Sequence, residues 1–193
     1  MKIYCLLISL LLFQFSFAQK QKVLLKESSN IQDTKFDYLE DEIQPIRDNF
    51  KRINSIKKWT KITTYETDDS TEGGYINYYY LNKSLEKIVV RKFGESGQYL
   101  AEYYFKDNQL SFLFEKVLDY NAPLYWKEFD YKKSDITEDR YYFKSKQLLH
   151  IMSNKDCGAP FAETYLKDEQ KRVFNELSDI LKSEKLAKSG VRN

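Results

Sequence analysis

Three short aromatic strings recur along this chain, and they leave it few folds to choose from. Asn77-Tyr78-Tyr79-Tyr80, Glu102-Tyr103-Tyr104-Phe105 and Arg140-Tyr141-Tyr142-Phe143 are each followed by a leucine, Leu85, Leu110 or Leu148, five residues after the string ends. Aromatic and β-branched runs suit a pleated, half-buried surface. The residues in between are polar: Asn82-Lys83-Ser84, Asp107-Asn108-Gln109 and Ser145-Lys146-Gln147. Strand, polar turn and returning strand make a hairpin, and the pattern predicts three of them, with return strands such as Leu85 to Phe93 and Leu110 to Leu118. The intervals between strings are 25 and then 38 residues. Uneven spacing argues for a meander with an insertion, Asp119 to Asp139, and against a regular solenoid. That insertion carries the pair Tyr125-Trp126, and a further strand is expected around Trp126 to Tyr131.

Helical periodicity flanks the sheet on both sides. Ile46, Phe50, Ile53 and Ile56 follow Pro45 at helical spacing, which predicts a helix over Pro45 to Lys57 with the proline in its first turn. Residues Phe36 to Ile43 are expected to form an earlier turn or two, interrupted at that proline. Near the other end, Leu166, Val173, Leu177 and Ile180 share one stripe of a helix expected from Ala162 to Lys185. The fold class is therefore α+β: an antiparallel sheet of hairpins with an N-terminal and a C-terminal helix, one domain over residues 36–188.

The first residues suggest a compartment. Lys2 precedes an almost wholly apolar run from Ile3 to Phe17 that ends in Ser16-Phe17-Ala18, the layout of a cleavable signal peptide, with cleavage expected after Ala18. Polar residues 19–35 then predict a flexible lead-in or a short edge strand around Val23-Leu24-Leu25, and residues 189–193 a frayed tail. Export would remove Cys5 and leave Cys157 without an intramolecular partner. A net charge of +2 provides no large field, which argues against nucleic acid as a partner.

The tyrosine-rich strand, asparagine-type turn and following leucine resemble the hairpin repeats of MORN-like and YwqK-type bacterial proteins over Tyr75 to Met152. Those repeats usually place Asn-Gly at the turn, and none of the three turns here contains glycine. The whole chain is also similar to small exported proteins of Gram-negative bacteria. Both resemblances imply a sheet platform located in the periplasm or outside the cell, and neither brings catalytic residues.

Candidate chemistry is sparse. His150 is the only histidine, which removes any mechanism or metal site that needs two imidazoles. It alternates with Leu149 and Ile151, so a structural role in the strand is expected. Cys157 precedes an expected helix start, where the helix field lowers a thiol pKa, which makes Cys157 a candidate nucleophile with His150 as its base. No hydrolase signature surrounds it, and free cysteines commonly behave as small buried hydrophobes. The loop Asp68-Asp69-Ser70-Thr71-Glu72-Gly73-Gly74 lacks the spaced acids of a calcium loop and reads as a solvated turn. No cofactor motif and no metal site is expected.

Strand alternation assigns the tyrosines to faces. Tyr78 and Tyr80, Tyr103 and Phe105, and Tyr141 and Phe143 belong to one face, with Tyr99 and Ala101. Tyr79, Tyr104 and Tyr142 belong to the other and are expected to point away from the core, either as an aromatic binding row or as tyrosines that cover the sheet beneath a helix or pair across strands. The sequence favours an exported, non-enzymatic interaction domain that meets a protein or glycan. A small envelope enzyme using Cys157 is the alternative.

Overall fold

The computed structural model describes residues 23–28, 39–156 and 161–189. The expected signal segment, Cys157 and most of the expected tail lie outside these residues. Helix α1 (Glu40–Asn54) precedes strands β1 (Lys61–Thr67), β2 (Gly74–Leu81), β3 (Ser84–Phe93), β4 (Gly97–Lys106), β5 (Gln109–Asp119), β6 (Asp135–Lys144) and β7 (Gln147–Ser153), and helix α2 (Glu163–Ser189) follows. All seven strands form one antiparallel sheet whose spatial order is the chain order. This is the α+β meander that the tyrosine strings predict.

The three repeat hairpins are built alike. Each turns on two residues with positive φ, Asn82-Lys83, Asp107-Asn108 and Ser145-Lys146. Positive φ at both central positions gives the primed turn whose twist matches that of paired strands. No glycine is used, so each turn holds side chains in a region that non-glycine residues rarely visit. Each hairpin then slips register by one residue, between Tyr79 and Tyr80, Tyr104 and Phe105, and Tyr142 and Phe143. The extra residues on the returning strands are Glu86, Ser111 and Leu149. A bulge of this kind flips the face of everything after it. Leu110 and Leu113, and likewise Leu148 and Ile151, therefore share one core although three positions separate them.

Two of the repeat hairpins, β2–β3 and β4–β5, begin on glycine for lack of room. A Cβ on Gly74 would lie 2.3 Å from the carbonyl oxygen of Arg91, and one on Gly97 2.5 Å from that of Leu118. Gly74→Ala is expected to cost about 1–3 kcal/mol, the usual range for overpacking against an atom that cannot swing aside. Urea denaturation of the two proteins checks it.

Helix α2 crosses one face of the sheet. Near its start Gln170 accepts a hydrogen bond from the Leu148 N–H at 2.7 Å, and farther along the Tyr78 hydroxyl donates to the carbonyl of Ile180 at 2.6 Å. Val173 and Leu177 are buried against Tyr78, Tyr103, Tyr141 and Phe143, with Leu166 and Ile180 partly buried beside them. These four helix residues are the stripe that the spacing predicts.

Helix α1 takes the opposite face. Ile43, Ile46, Phe50 and Ile53 pack on Tyr104, Phe112, Phe114 and Tyr142. Two expectations need correction here. The helix starts at Glu40 and runs through Pro45 without interruption. Glu40, Asp41 and Glu42 occupy its first turn, where carboxylates favour the helix N-terminus, and Pro45 lies on the exposed side, where a lost hydrogen bond is least costly. Second, the sheet has no free face at its centre. Tyr104 and Tyr142 are both 0 % exposed. Alternation tells which side a residue faces, and it does not tell what lies above that side. An amphipathic helix needs its own apolar floor, and α1 finds it on the face that α2 leaves open.

Part of the rest of that second face, over β3, β4 and β5, is covered by residues 23–28, while Ile62, Thr64 and Glu66 of β1 stay exposed. The sequence predicts a loose lead-in or an edge strand; the segment instead lies across the sheet, with Leu25 buried against Val89, Leu100 and Leu118. The expected strand around Trp126 to Tyr131 is also absent: residues 120–134 form an irregular loop with one 3-10 turn, Tyr131–Lys133.

Candidate functional site

The second face carries a line of charged and polar side chains that the segment 23–28, here called the strap, does not leave to water. Lys87 and Arg91 rise from β3, Gln98 and Glu102 from β4, and Lys116 from β5. Glu102 is 0 % exposed. Its carboxylate accepts hydrogen bonds from Lys87 Nζ at 2.7 Å, from the Tyr104 hydroxyl at 2.7 Å and from the Ser28 N–H at 2.6 Å. Lys87 also donates to Glu27 of the strap at 2.8 Å and stands 5.0 Å over the Tyr104 ring. Burial lowers the Lys87 pKa, but Glu102 and Glu27 outweigh it and hold the ammonium above its ordinary value. Burial and the Glu102 charge push the Tyr104 phenol up, so it stays a hydrogen-bond donor at neutral pH.

Main-chain atoms of the strap are held one after another. Gln98 Nε2 donates to the Val23 carbonyl at 2.8 Å while its Oε1 accepts from the Leu25 N–H at 3.4 Å. Arg91 donates to the Leu25 carbonyl at 2.6 Å and Lys116 to that of Lys26 at 3.3 Å. With Glu102 on the Ser28 N–H and the Tyr131 hydroxyl accepting from the Val23 N–H at 3.3 Å, five side chains thus do for the strap what a neighbouring strand would do.

At the end of the sheet away from the repeat turns, the connections Asp68 to Gly73, Gly94 to Ser96 and Tyr120 to Ser134 meet. The Leu124 N–H donates to Glu95 O at 2.8 Å, and the Glu95 N–H to Thr71 Oγ1 at 3.3 Å. The longest of the three is stiffened from within. Tyr120, Phe129 and Tyr131 form a mutual edge-to-face group with centroid separations of 4.6 to 5.7 Å. Asn121 clamps the loop neck: it donates to the Glu128 carbonyl at 2.9 Å and accepts from the Asp130 N–H at 2.8 Å. On this base stand Tyr125 and Trp126, 70 % and 58 % exposed. The Tyr125 hydroxyl donates to Glu72 at 2.9 Å, which fixes the ring's tip and raises its pKa. The pair is thus solvated, with the Tyr125 ring tethered and both rings carried on an ordered base.

Beneath α2 lies a cavity of about 430 Å³ whose lining includes Tyr99, Tyr103, Glu115 and Arg172. Its charges serve the fold. Arg172 is bonded to Glu115 at 3.0 Å, Glu169 at 2.8 Å and Glu176 at 3.1 Å, and Glu115 also accepts from the Tyr99 hydroxyl at 2.6 Å. Asp139 faces Glu115 across β5 and β6. Burial raises its pKa, with the Glu115 charge adding to the shift.

The residues singled out from sequence are dispersed or buried. Tyr79, Tyr104 and Tyr142 do share a face, but Tyr104 and Tyr142 form part of the core under α1 and cannot be a binding row. Tyr79 is half-buried against Trp59, at a ring separation of 5.2 Å. His150 is half-buried on the same face, its ring 6.3 Å from that of Tyr142. Cys157 is outside the described residues. Among the described residues no group of three or more His, Cys, Asp and Glu side chains could hold a metal ion, and no helix is long and apolar enough to cross a membrane. Tyr125 and Trp126 were visible in the sequence as an aromatic pair inside an insertion, and the neighbouring Asn121-Ala122-Pro123 was the signal for a loop. No family model, curated protein or solved structure matches this chain.

Proposed function

We infer that this chain is an exported, non-enzymatic interaction domain that engages a protein or glycan through the loop end bearing Tyr125 and Trp126. The observation that carries this reading is the contrast between the loop's ordered base and its solvated tip. Exposing two adjacent large aromatic rings gains the fold nothing, since removing apolar area from water is what stabilises it. The loop nevertheless holds them outward, on an aromatic group and an asparagine clamp. A ring fixed before contact, as Tyr125 is by Glu72, loses little conformational freedom on binding, which favours affinity. The acids Glu72 and Glu95 at the same end suit sugar hydroxyls or a cationic side chain.

Export rests on the signal-like residues 1–18 and sets where a partner is to be sought. Capture from a cell-envelope extract of the native organism, comparing wild type with Trp126→Ala, tests the function. The variant is expected to lose at least tenfold in captured partner while its melting temperature stays within a few degrees, because exposed residues contribute little to stability. Equal capture by both proteins would remove the loop end as the docking surface.

A further inference from the structure

The strap is held in a way that an integral piece of the fold would not require. Only Leu25 and Ser28 of the six residues are buried; Val23, Leu24, Lys26 and Glu27 are exposed. It makes no strand ladder with the sheet. What fixes it is a set of side chains whose targets are main-chain atoms: Gln98 on Val23 and Leu25, Tyr131 on Val23, Arg91 on Leu25, Lys116 on Lys26, and Glu102 on Ser28. Contacts of this kind read an extended backbone and leave the sequence of the occupant largely free, as in strand addition to a sheet. Two features do read side chains. One is the apolar floor of Val89, Leu100 and Leu118 beneath Leu25. The other is the pair of cations, Lys87 and Arg91, that receives Glu27 two residues further on, at 2.8 and 3.5 Å.

The groove below is lined by polar groups that the strap closes off from water. Glu102 and Lys87 are 0 % and 4 % exposed, Arg91 7 % and Gln98 4 % with the strap in place. Buried charges and amides demand partners. One buried leucine is a modest apolar anchor, so another segment with the same pattern can compete. We propose that the strap is a built-in stand-in for a ligand, and that the groove over β3, β4 and β5 accepts an extended peptide from another protein, with an apolar side chain, any residue, then a carboxylate. This site is separate from the Tyr125 and Trp126 surface and does not depend on it. A cis segment competes at a high effective concentration. Binding in trans is therefore masked in the resting protein and appears when the strap is released.

The test uses the full chain carrying Leu25→Asp with Glu27→Lys, which sets a charge on the apolar floor and a cation against Lys87 and Arg91. A fluorescein-labelled hexapeptide reproducing residues 23–28 is titrated and followed by anisotropy. Saturable binding is expected to the released protein, at least tenfold weaker to wild type, and at least tenfold weaker again for a peptide with lysine in place of the glutamate. Adding Arg91→Ala to the released protein is expected to reduce binding by a similar factor. A folded variant that binds no peptide, or binds both peptides equally, overturns the proposal. A wild-type dimer that the Leu25→Asp with Glu27→Lys variant no longer forms would put a second copy's strap in the groove and also overturn it. Hydrogen exchange on the wild type is an independent measure: the Leu25 and Ser28 amides should exchange at least a hundredfold faster than that of Val89. Equal protection, or a variant that no longer folds, would make the strap part of the core and end the idea.

Discussion

Replacing Glu102 by leucine is expected to lower the folding stability by about 3–5 kcal/mol, the range for removing one member of a buried ion pair. The carboxylate has three donors: Lys87, Tyr104 and the Ser28 N–H. Its loss leaves the Lys87 ammonium buried with only Glu27, a partly exposed strap residue, to answer it. Lys87→Met with Glu102→Leu together is expected to be much less damaging than Glu102→Leu alone, because two apolar side chains of similar volume need no partner. Urea denaturation of the wild type, both single variants and the double variant gives the coupling directly. A single variant that unfolds at the wild-type midpoint would mean that water reaches the pair. The pH dependence follows from the lysine. Its folded pKa lies above the unfolded reference of 10.5. The stabilisation is therefore complete at neutral pH and below that reference, and is lost as pH rises through the folded value.

Tyr142→Ala and Tyr104→Ala are each expected to cost about 3–5 kcal/mol, the usual result of truncating a core aromatic to alanine. Tyr142 packs on Phe112 at 5.1 Å and Tyr104 on Phe50 at 4.8 Å, and both lie in the layer beneath α1. Tyr79→Ala is expected to cost far less, about 1 kcal/mol, since its ring is half-buried and its main neighbour, Trp59, is half-buried too. Thermal melts of the three variants separate the two classes. Losses that are small and equal in all three would restore the exposed row that alternation alone suggests.

Much of this architecture is legible before any coordinates. The tyrosine strings and their leucines locate three hairpins, and period two sorts Tyr78, Tyr103 and Tyr141 from Tyr79, Tyr104 and Tyr142 correctly. Burial of the second face was less plain, yet two signals stood in the sequence. The run Leu110 to Phe114 places apolar side chains on both sides of β5, as a doubly covered strand does. Two amphipathic helices also flank one sheet, and each requires a floor of its own. The strap is hard to read from sequence because its contacts are polar and long-range. Lys87 and Arg91 bracket the apolar run Ile88-Val89-Val90, and such residues look like a solvated face until Glu102 and Glu27 are known to lie opposite. Pro45 misled for a related reason: a proline's usual place is a statistical preference, and α1 tolerates it mid-helix on the side away from the sheet. Of the candidate site, the sequence displayed Tyr125 and Trp126 but not the clamp by which Asn121 turns them outward.

Because each strand lies beside its chain neighbour, the sheet can assemble by successive zipping, with every new ladder closing only the link that precedes it, the longest being residues 120–134. The exceptions are the contacts that reach across the chain, such as Tyr78 with Ile180 and Ser28 with Glu102. Local pairing is fast and distant closure slow. The hairpins should therefore form first, while docking of the crossing helix and of the N-terminal segment completes the protein last.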